Sequence, residues 1–211
     1  APPLLRTAAS MRERTTSLSA ARRRASRYFW ALDDSKKLSE AQREEIFAQL
    51  AADPAVRWAA AAREAAEIDA SNILAACEDA MAAAVRALSD GNGSNDDTGS
   101  NGGAPCAPDA ILVDGARVPP SLAPPAQPAP VSAVVKGDAK CSNIAAASIV
   151  AKVLRDRRMA ALDALFPGYG FSRHKGYGTA EHRDSIARLG APPSPRPRAA
   201  RGTEGAESPV H

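Results

Sequence analysis

Residues 110–115, Ala110-Ile111-Leu112-Val113-Asp114-Gly115, and residues 131–138, Val131-Ser132-Ala133-Val134-Val135-Lys136-Gly137-Asp138, are two short apolar runs that each lead to an aspartate. Runs of this length bounded by turn chemistry read as buried strands, because a helix needs ten or more residues. Each strand delivers a carboxylate at its C-terminal end. Between them Pro119 to Pro130 is proline-rich, and proline neither continues a helix nor donates to a central ladder. After the second aspartate, Asn143 to Leu165 reads as a long helix whose Ala145, Ala146, Ala147 and Ser148 let it lie close to a sheet, and Pro167-Gly168 stops it. Strands alternating with helices predict an α/β domain built as layers.

The flanks extend this pattern. Upstream, Ser39 followed by Gln42 is a capping-box arrangement that predicts a helix over Glu40 to Ala52, ended by Asp53-Pro54. Val56 to Ala62 reads as a short strand. From Ser71 to Leu88 the residues Ile73, Leu74, Cys77, Met81, Val85 and Leu88 recur at helical steps, the stripe of an amphipathic helix facing a core. Residues 89–108 are rich in Gly, Ser, Asn and Asp and read as a flexible surface insertion. Downstream, a Gly- and aromatic-rich loop, Tyr169 to Gly178, precedes a helix capped by Thr179 and ended by Gly190. The expected division is a basic leader over 1–30, disordered or misread, a folded body over 31–190, and a disordered tail over 191–211.

The chain has 211 residues, 45% of them hydrophobic against 24% charged, which is enough for one domain with its own core. A net charge of only +3 conceals clusters at Arg22-Arg23-Arg24, Lys36-Lys37, Arg155 to Arg158 and Arg196 to Arg201. Such an uneven basic surface suits a phosphate backbone, although basic runs are also ordinary solvated faces. No apolar run approaches the roughly 20 residues of a membrane span, so a soluble protein without membrane contact is expected. Cys77, Cys106 and Cys141 show neither paired metal-ligand spacing nor a disulfide framework, which points to a reducing, intracellular compartment, with Cys77 in the core. That compartment is the cytoplasm for a bacterial protein, and an organelle or the nucleus for a eukaryotic one. The leader, Arg-, Ser- and Ala-rich with Glu13 as its only acid, reads as an organelle transit peptide or a misread N-terminus.

Two carboxylates at the ends of neighbouring strands can converge on a hard divalent cation, which prefers oxygen ligands. Asp114 and Asp138 are the candidates. Two such ions about 4 Å apart can activate a water and stabilise the leaving oxygen of a phosphodiester. Spacing alone does not decide this, because Asp-Gly is also an ordinary turn pair. Asp156, between two arginines in a helix, reads as an ion-pair partner of Arg155, Arg157 or neighbours. His174 and His182 do not have the form of a zinc pair and read as positioning or surface residues.

A set of motifs in fixed order carries a resemblance. They are Leu32-Asp33-Asp34-Ser35-Lys36-Lys37-Leu38-Ser39; Glu67-Ile68-Asp69-Ala70-Ser71-Asn72-Ile73-Leu74 with Ala80-Met81; Val113-Asp114-Gly115; and Lys136-Gly137-Asp138. Ile144 to Val153 with Arg155-Asp156-Arg157 follows, then Pro167-Gly168-Tyr169-Gly170-Phe171 with His174-Lys175-Gly176-Tyr177-Gly178-Thr179. Together they resemble the bacterial-type ribonuclease HII family across residues 31–190, the insertion aside. The resemblance implies a ribonuclease H-like fold, a central mixed sheet flanked by helices with a small helical C-terminal part. It implies hydrolysis of RNA in RNA–DNA hybrids and nicking 5′ of ribonucleotides embedded in DNA, by two-metal-ion catalysis with Mn²⁺ or Mg²⁺, in a monomer. Asp114 and Asp138 match two of the family's four active-site acids, and Tyr177 matches a tyrosine that stacks on the sugar beside the ribonucleotide. Lys175, Lys36 and Lys37 are the expected phosphate contacts.

The chain departs from the family at both ends. The first strand's Asp-Glu-x-Gly-Arg-Gly, whose acids complete the metal site, has no counterpart, so the sheet is expected with its first strand missing. After Gly190, Ala191-Pro192-Pro193-Ser194-Pro195-Arg196 replaces a His-Arg-x-Ser-Phe segment. Together these read as a fragmentary or misspliced gene product. The alternative functional reading is a catalytically inactive fragment that only binds nucleic acid, and a third is a helical interaction protein whose Asp-Gly pairs are turns.

Overall fold

The computed structural model describes residues 38–91, 100, 105, 107–126 and 128–192, and the backbone of 4–11. Lys36, Lys37, the rest of the leader, most of the 89–108 insertion, Cys106 and the tail from 193 lie outside the described residues. The element order is β1 (Leu4–Met11), α1 (Glu40–Ala52), β2 (Val56–Arg63), α2 (Ala65–Ala70), α3 (Ile73–Asp90), β3 (Ile111–Asp114), β4 (Val131–Val134), α4 (Ser142–Leu165), α5 (Phe171–His174) and α6 (Ala180–Leu189).

β2 organises one half of the molecule. It is buried along nearly its whole length, and its period-2 geometry divides the burial between two helical layers. Val56, Trp58 and Ala60 face a core with Ile46, Phe47 and Leu50 of α1 and Ala146, Ile149, Val150 and Val153 of α4. Ala61 points the other way, against Ala80 and Ala84 of α3. Alanine on both sides lets α3 approach the strand closely. β1 pairs antiparallel with β2 over its full length, Leu4 opposite Arg63 through Met11 opposite Val56. The leader thus contributes a strand where the sequence predicted none, and the sheet has an N-terminal strand after all. That strand, Leu-Leu-Arg-Thr-Ala-Ala-Ser-Met, contains no carboxylate.

β3 and β4 form a separate parallel pair, Ile111 opposite Val131 through Asp114 opposite Val134. Ile111 and Val113 are buried against Ala82 and Val85 of α3 together with Leu122 and Ala129, while Leu112 and Asp114 face outward. A parallel connection is commonly a helix. Here it is the proline-rich segment, pinned by the 3₁₀ turn Pro120–Leu122, whose Leu122 is fully buried. Mixed strands with helices packed on them agree with the expected α/β class.

The helix ends follow their caps. Ser39 and Gln42 form the reciprocal capping box that the sequence predicts for α1. Ser39→Ala is expected to cost about 1 kcal/mol, read as a shift in the urea midpoint at unchanged slope. α3 starts two residues later than predicted, because the Asn72 side chain accepts from the amides of Leu74 and Ala75, and it ends on Gly91 in the left-handed region at φ 70°. Its stripe also differs from the expectation. Ile73 and Leu74 are about half exposed, and the buried face is Ala76, Cys77, Ala80, Ala82, Ala84, Val85 and Leu88.

α4 runs from the end of β4 across the body to a small C-terminal cluster of Met159, Tyr169 and Phe171. Tyr169 stacks on Phe171, and its hydroxyl donates to the carbonyls of Leu189 and Gly190, tying the end of α6 to this cluster. The Ser172 hydroxyl donates to Asp163 and holds that carboxyl below the usual carboxylate range. A depressed folded-state value means stability that is present above the unfolded value, near 4, and lost as pH falls through the folded value. Ser172→Ala is therefore expected to lower stability slightly near neutrality, with the difference from the unsubstituted chain closing as pH falls through the folded value, read by urea denaturation at a series of pH values.

Candidate active site

Asp114 closes β3, and Asp138 lies just beyond β4, so both stand at the same edge of a parallel pair. The chain leaves β4 through Lys136, which takes the left-handed conformation at φ 55°, and enters the 3₁₀ turn Gly137–Ala139. This turn aims the Gly137 amide at Asp114, donating to Oδ1 at 2.9 Å. Asp138 is the next residue, so the turn that orients the Asp114 carboxylate also carries Asp138. Gly137 makes this possible by lacking a side chain. A Cβ there would stand 2.5 Å from Ile144 Cδ1 and 3.3 Å from Asp114 Oδ1. Gly137→Ala must displace buried Ile144, and is expected to cost about 1–3 kcal/mol, seen as a lower melting temperature.

Asp114 is exposed and Asp138 half-buried, and one oxygen of Asp114 is committed to the Gly137 amide. A divalent cation such as Mg²⁺ is commonly held by one or two carboxylates plus waters and substrate phosphates. The donor set Asp114 and Asp138 fits that description. Among the described residues no group of three or more His, Cys, Asp or Glu is placed to hold a metal.

A second cluster lies further along α4. Tyr177 is 54% exposed. Its hydroxyl accepts from Arg155 Nη1 at 2.8 Å, and the Arg155 guanidinium lies 4.4 Å from its ring centroid. Lys152 Nζ is 5.9 Å from the same centroid. Lys175 is half-buried, with Nζ 3.8 Å from Glu40 Oε1 and its carbonyl accepting from Arg155 Nη2 at 3.0 Å. Ile144, which abuts Gly137, and Lys152 are eight residues apart on one helix, about 12 Å along its axis. The structure therefore sets Asp114 and Asp138 at adjoining ends of β3 and β4, and Lys175 and Tyr177 on one loop that Arg155 holds, as two groups at different levels of α4.

The family model for ribonuclease HII matches residues 101–201, the part that contains both groups. Over 165 residues the chain is 46% identical to the ribonuclease HII of Chromobacterium violaceum, covering 78% of this chain and 72% of that one. The chain belongs to the ribonuclease HII family. By descent it is a ribonuclease H-type enzyme, a hydrolase. The crystal structure of the ribonuclease H2 from Pyrococcus horikoshii OT3 is similar in fold, with a TM-score of 0.53 at 20% identity, covering 88% of this chain and 98% of that one. Among the described residues no helix is long and apolar enough to cross a membrane.

Three features of this ribonuclease HII chain sharpen the sequence reading or lie outside it. Asp156 is an ion-pair partner as expected, but of Lys152 and Arg43, not of the flanking arginines. It is buried, with Lys152 Nζ 2.7 Å from Oδ1 and Arg43 Nη2 3.5 Å from Oδ2, which joins α1 to α4. His174 and His182 are not surface residues. Both are buried, with rings stacked 4.4 Å apart. The Gly176 amide donates to His174 Nδ1, so His174 Nε2 carries the proton toward the Tyr169 carbonyl, and His182 Nδ1 donates to the Tyr177 carbonyl. They position the loop that carries Lys175 and Tyr177. Arg155, finally, reaches that loop although nothing in its local sequence marks it among several neighbouring arginines.

Proposed function

We propose that this chain hydrolyses RNA in RNA–DNA hybrids and nicks DNA on the 5′ side of an embedded ribonucleotide, as a monomer, with Mn²⁺ or Mg²⁺. The observation that supports the reading is Asp114 at the end of β3, oriented by the Gly137 amide of the turn after β4 that carries Asp138. These two residues would hold the metal, and two-metal chemistry supplies an activated water and stabilisation of the leaving oxygen. Asp114 contributes charge and is fixed in orientation by the Gly137 donor. Asp138 brings a second carboxylate from the adjoining turn. Tyr177 offers an exposed ring against which a nucleotide stacks, and Lys175 contacts phosphate by exchanging its Glu40 partner for it. Lys36 and Lys37 are further phosphate contacts under the same proposal.

The test is incubation of the purified chain with duplex DNA containing one ribonucleotide, with Mn²⁺ and separately with EDTA. A 5′ nick that requires the metal is expected. A second reading, binding without cleavage, is favoured by the absence of a third metal-binding side chain beside the pair among the described residues. It is supported instead if folded protein binds the duplex in a salt-sensitive manner and leaves it intact with either metal.

A further inference from the structure

We infer that Arg155 is a positioning residue for nucleic-acid binding, acting through Tyr177 and the main chain of Lys175. The inference rests on the proposal that Tyr177 stacks on a nucleotide. Arg155 projects from α4 and engages the loop with both terminal nitrogens, Nη1 on the Tyr177 hydroxyl and Nη2 on the Lys175 carbonyl. Its guanidinium also lies against the Tyr177 ring. An exposed tyrosine with one attachment samples several rotamers, and ordering it on binding costs affinity. Held at its hydroxyl, against its ring and through the adjacent main chain, Tyr177 is oriented before the nucleic acid arrives.

The loop backbone needs such an anchor. Lys175 at φ 49° and Gly176 at φ 75° are consecutive left-handed residues, and for a lysine that conformation is unfavourable. His174 and His182 secure the Gly176 amide and the Tyr177 carbonyl from within the C-terminal segment itself. Arg155 ties the same loop to α4, and hence to the body that carries Asp114 and Asp138. Two divergent donors in a fixed plane are what a guanidinium supplies and an ammonium does not. The rival role is a direct contact from Arg155 to phosphate, because among the described residues it forms no ion pair with a carboxylate.

The experiment uses the full chain and the variants Arg155→Met, Arg155→Lys, Tyr177→Leu and the double variant Arg155→Met/Tyr177→Leu. Kd for a DNA duplex carrying one ribonucleotide is measured by fluorescence anisotropy without divalent cation, and tryptic cleavage after Lys175 is followed in the free protein. Arg155→Met is expected to raise Kd about tenfold and to speed cleavage after Lys175 several-fold, with little change in melting temperature. Arg155→Lys keeps the charge and loses the fork, so it is expected to resemble Arg155→Met. In the Tyr177→Leu background Arg155→Met should add nothing, the signature of two residues acting as one unit. Independent, multiplying effects would overturn the positioning role in favour of direct phosphate contact. A Kd unchanged in Arg155→Met while Tyr177→Leu binds weakly would overturn the positioning role too, and would leave Arg155 no direct contact with phosphate either. Wild-type binding by Tyr177→Leu would remove the stacking proposal, and this inference with it.

Discussion

Asp138→Asn is expected to abolish metal-dependent cleavage, lowering it by roughly a thousandfold or more, the rate equivalent of the several kcal/mol that a correctly held divalent ion contributes. The change removes one negative charge and almost no volume. Asp138 is half-buried in a turn whose backbone hydrogen bonds, from Lys140 and Cys141 to the Gly137 carbonyl, do not involve its side chain. The melting temperature should therefore stay close to that of the unsubstituted chain. Asp114→Asn is expected to fall by a similar factor and also to fold, because its amide oxygen can still accept from Gly137. Asp114→Ala differs in kind. It leaves the Gly137 amide without its acceptor, at about 1–3 kcal/mol of stability if water does not replace it. Single-turnover cleavage and thermal melting of the three variants separate the charge from the scaffold. Undiminished cleavage by Asp138→Asn, with the same Mn²⁺ dependence, would remove the carboxylate pair from the mechanism.

Asp156→Ala is expected to be the most damaging single change to stability, at about 3–5 kcal/mol. Asp156 is 4% exposed and Arg43 9%, so removing the carboxylate takes a buried anion away from a guanidinium that has little water to replace it. Lys152, a quarter exposed at its side chain, can turn toward solvent and suffers less. The pair is not itself a large net source of stability, since burying two charges costs much of what their attraction returns. Replacing both, Arg43→Met with Asp156→Leu, is therefore expected to recover most of the loss. Urea denaturation of the two single variants and the double variant gives the comparison. An Asp156→Ala midpoint equal to that of the unsubstituted chain would show that Arg43 finds water or another partner. The effect can reach the Tyr177 loop by two routes, through α4, which α1 meets at this pair and again where Arg157 lies over Phe47 and pairs with Glu44, and through α1 itself, whose Glu40 pairs with Lys175.

The parts of this fold that were legible in the sequence are those written locally. Ser39 and Gln42 announce α1, Thr179 and Gly190 bracket α6, and the two apolar runs leading to Asp114 and Asp138 are strands at nearly the expected residues. β1 was not legible, because Leu4–Met11 has no strict alternation and its strand character comes from pairing with β2, some fifty residues away. α2 escaped because its capping box is built on Glu64 with Glu67 instead of a hydroxyl or short amide cap. In α3 the large residues Ile73 and Leu74 drew the eye, whereas the narrow gap between helix and strands is filled by alanines. At the site, Asp114 and Asp138 could be read from strand ends. The partners of Tyr177 and Asp156 could not, because Arg155, Lys152 and Arg43 reach them across the tertiary fold.

α4 also acts as a ruler. One end abuts the turn that presents Asp138, and three turns on it carries the side chains that hold Tyr177. A helix advances about 1.5 Å and rotates about 100° per residue, whereas one nucleic-acid strand advances about 3.4 Å per nucleotide. Under the proposed function, a single inserted residue between Ile144 and Lys152 would swing Tyr177 away from the facing of Asp114 and Asp138. A whole added turn would restore the facing but change the interval by about one and a half nucleotides, leaving a phosphate and a sugar exchanged in phase. If Tyr177 and the carboxylate pair engage one nucleic acid as proposed, the length of this stretch of α4 is tied to the spacing of its nucleotides, even at residues that touch none of it.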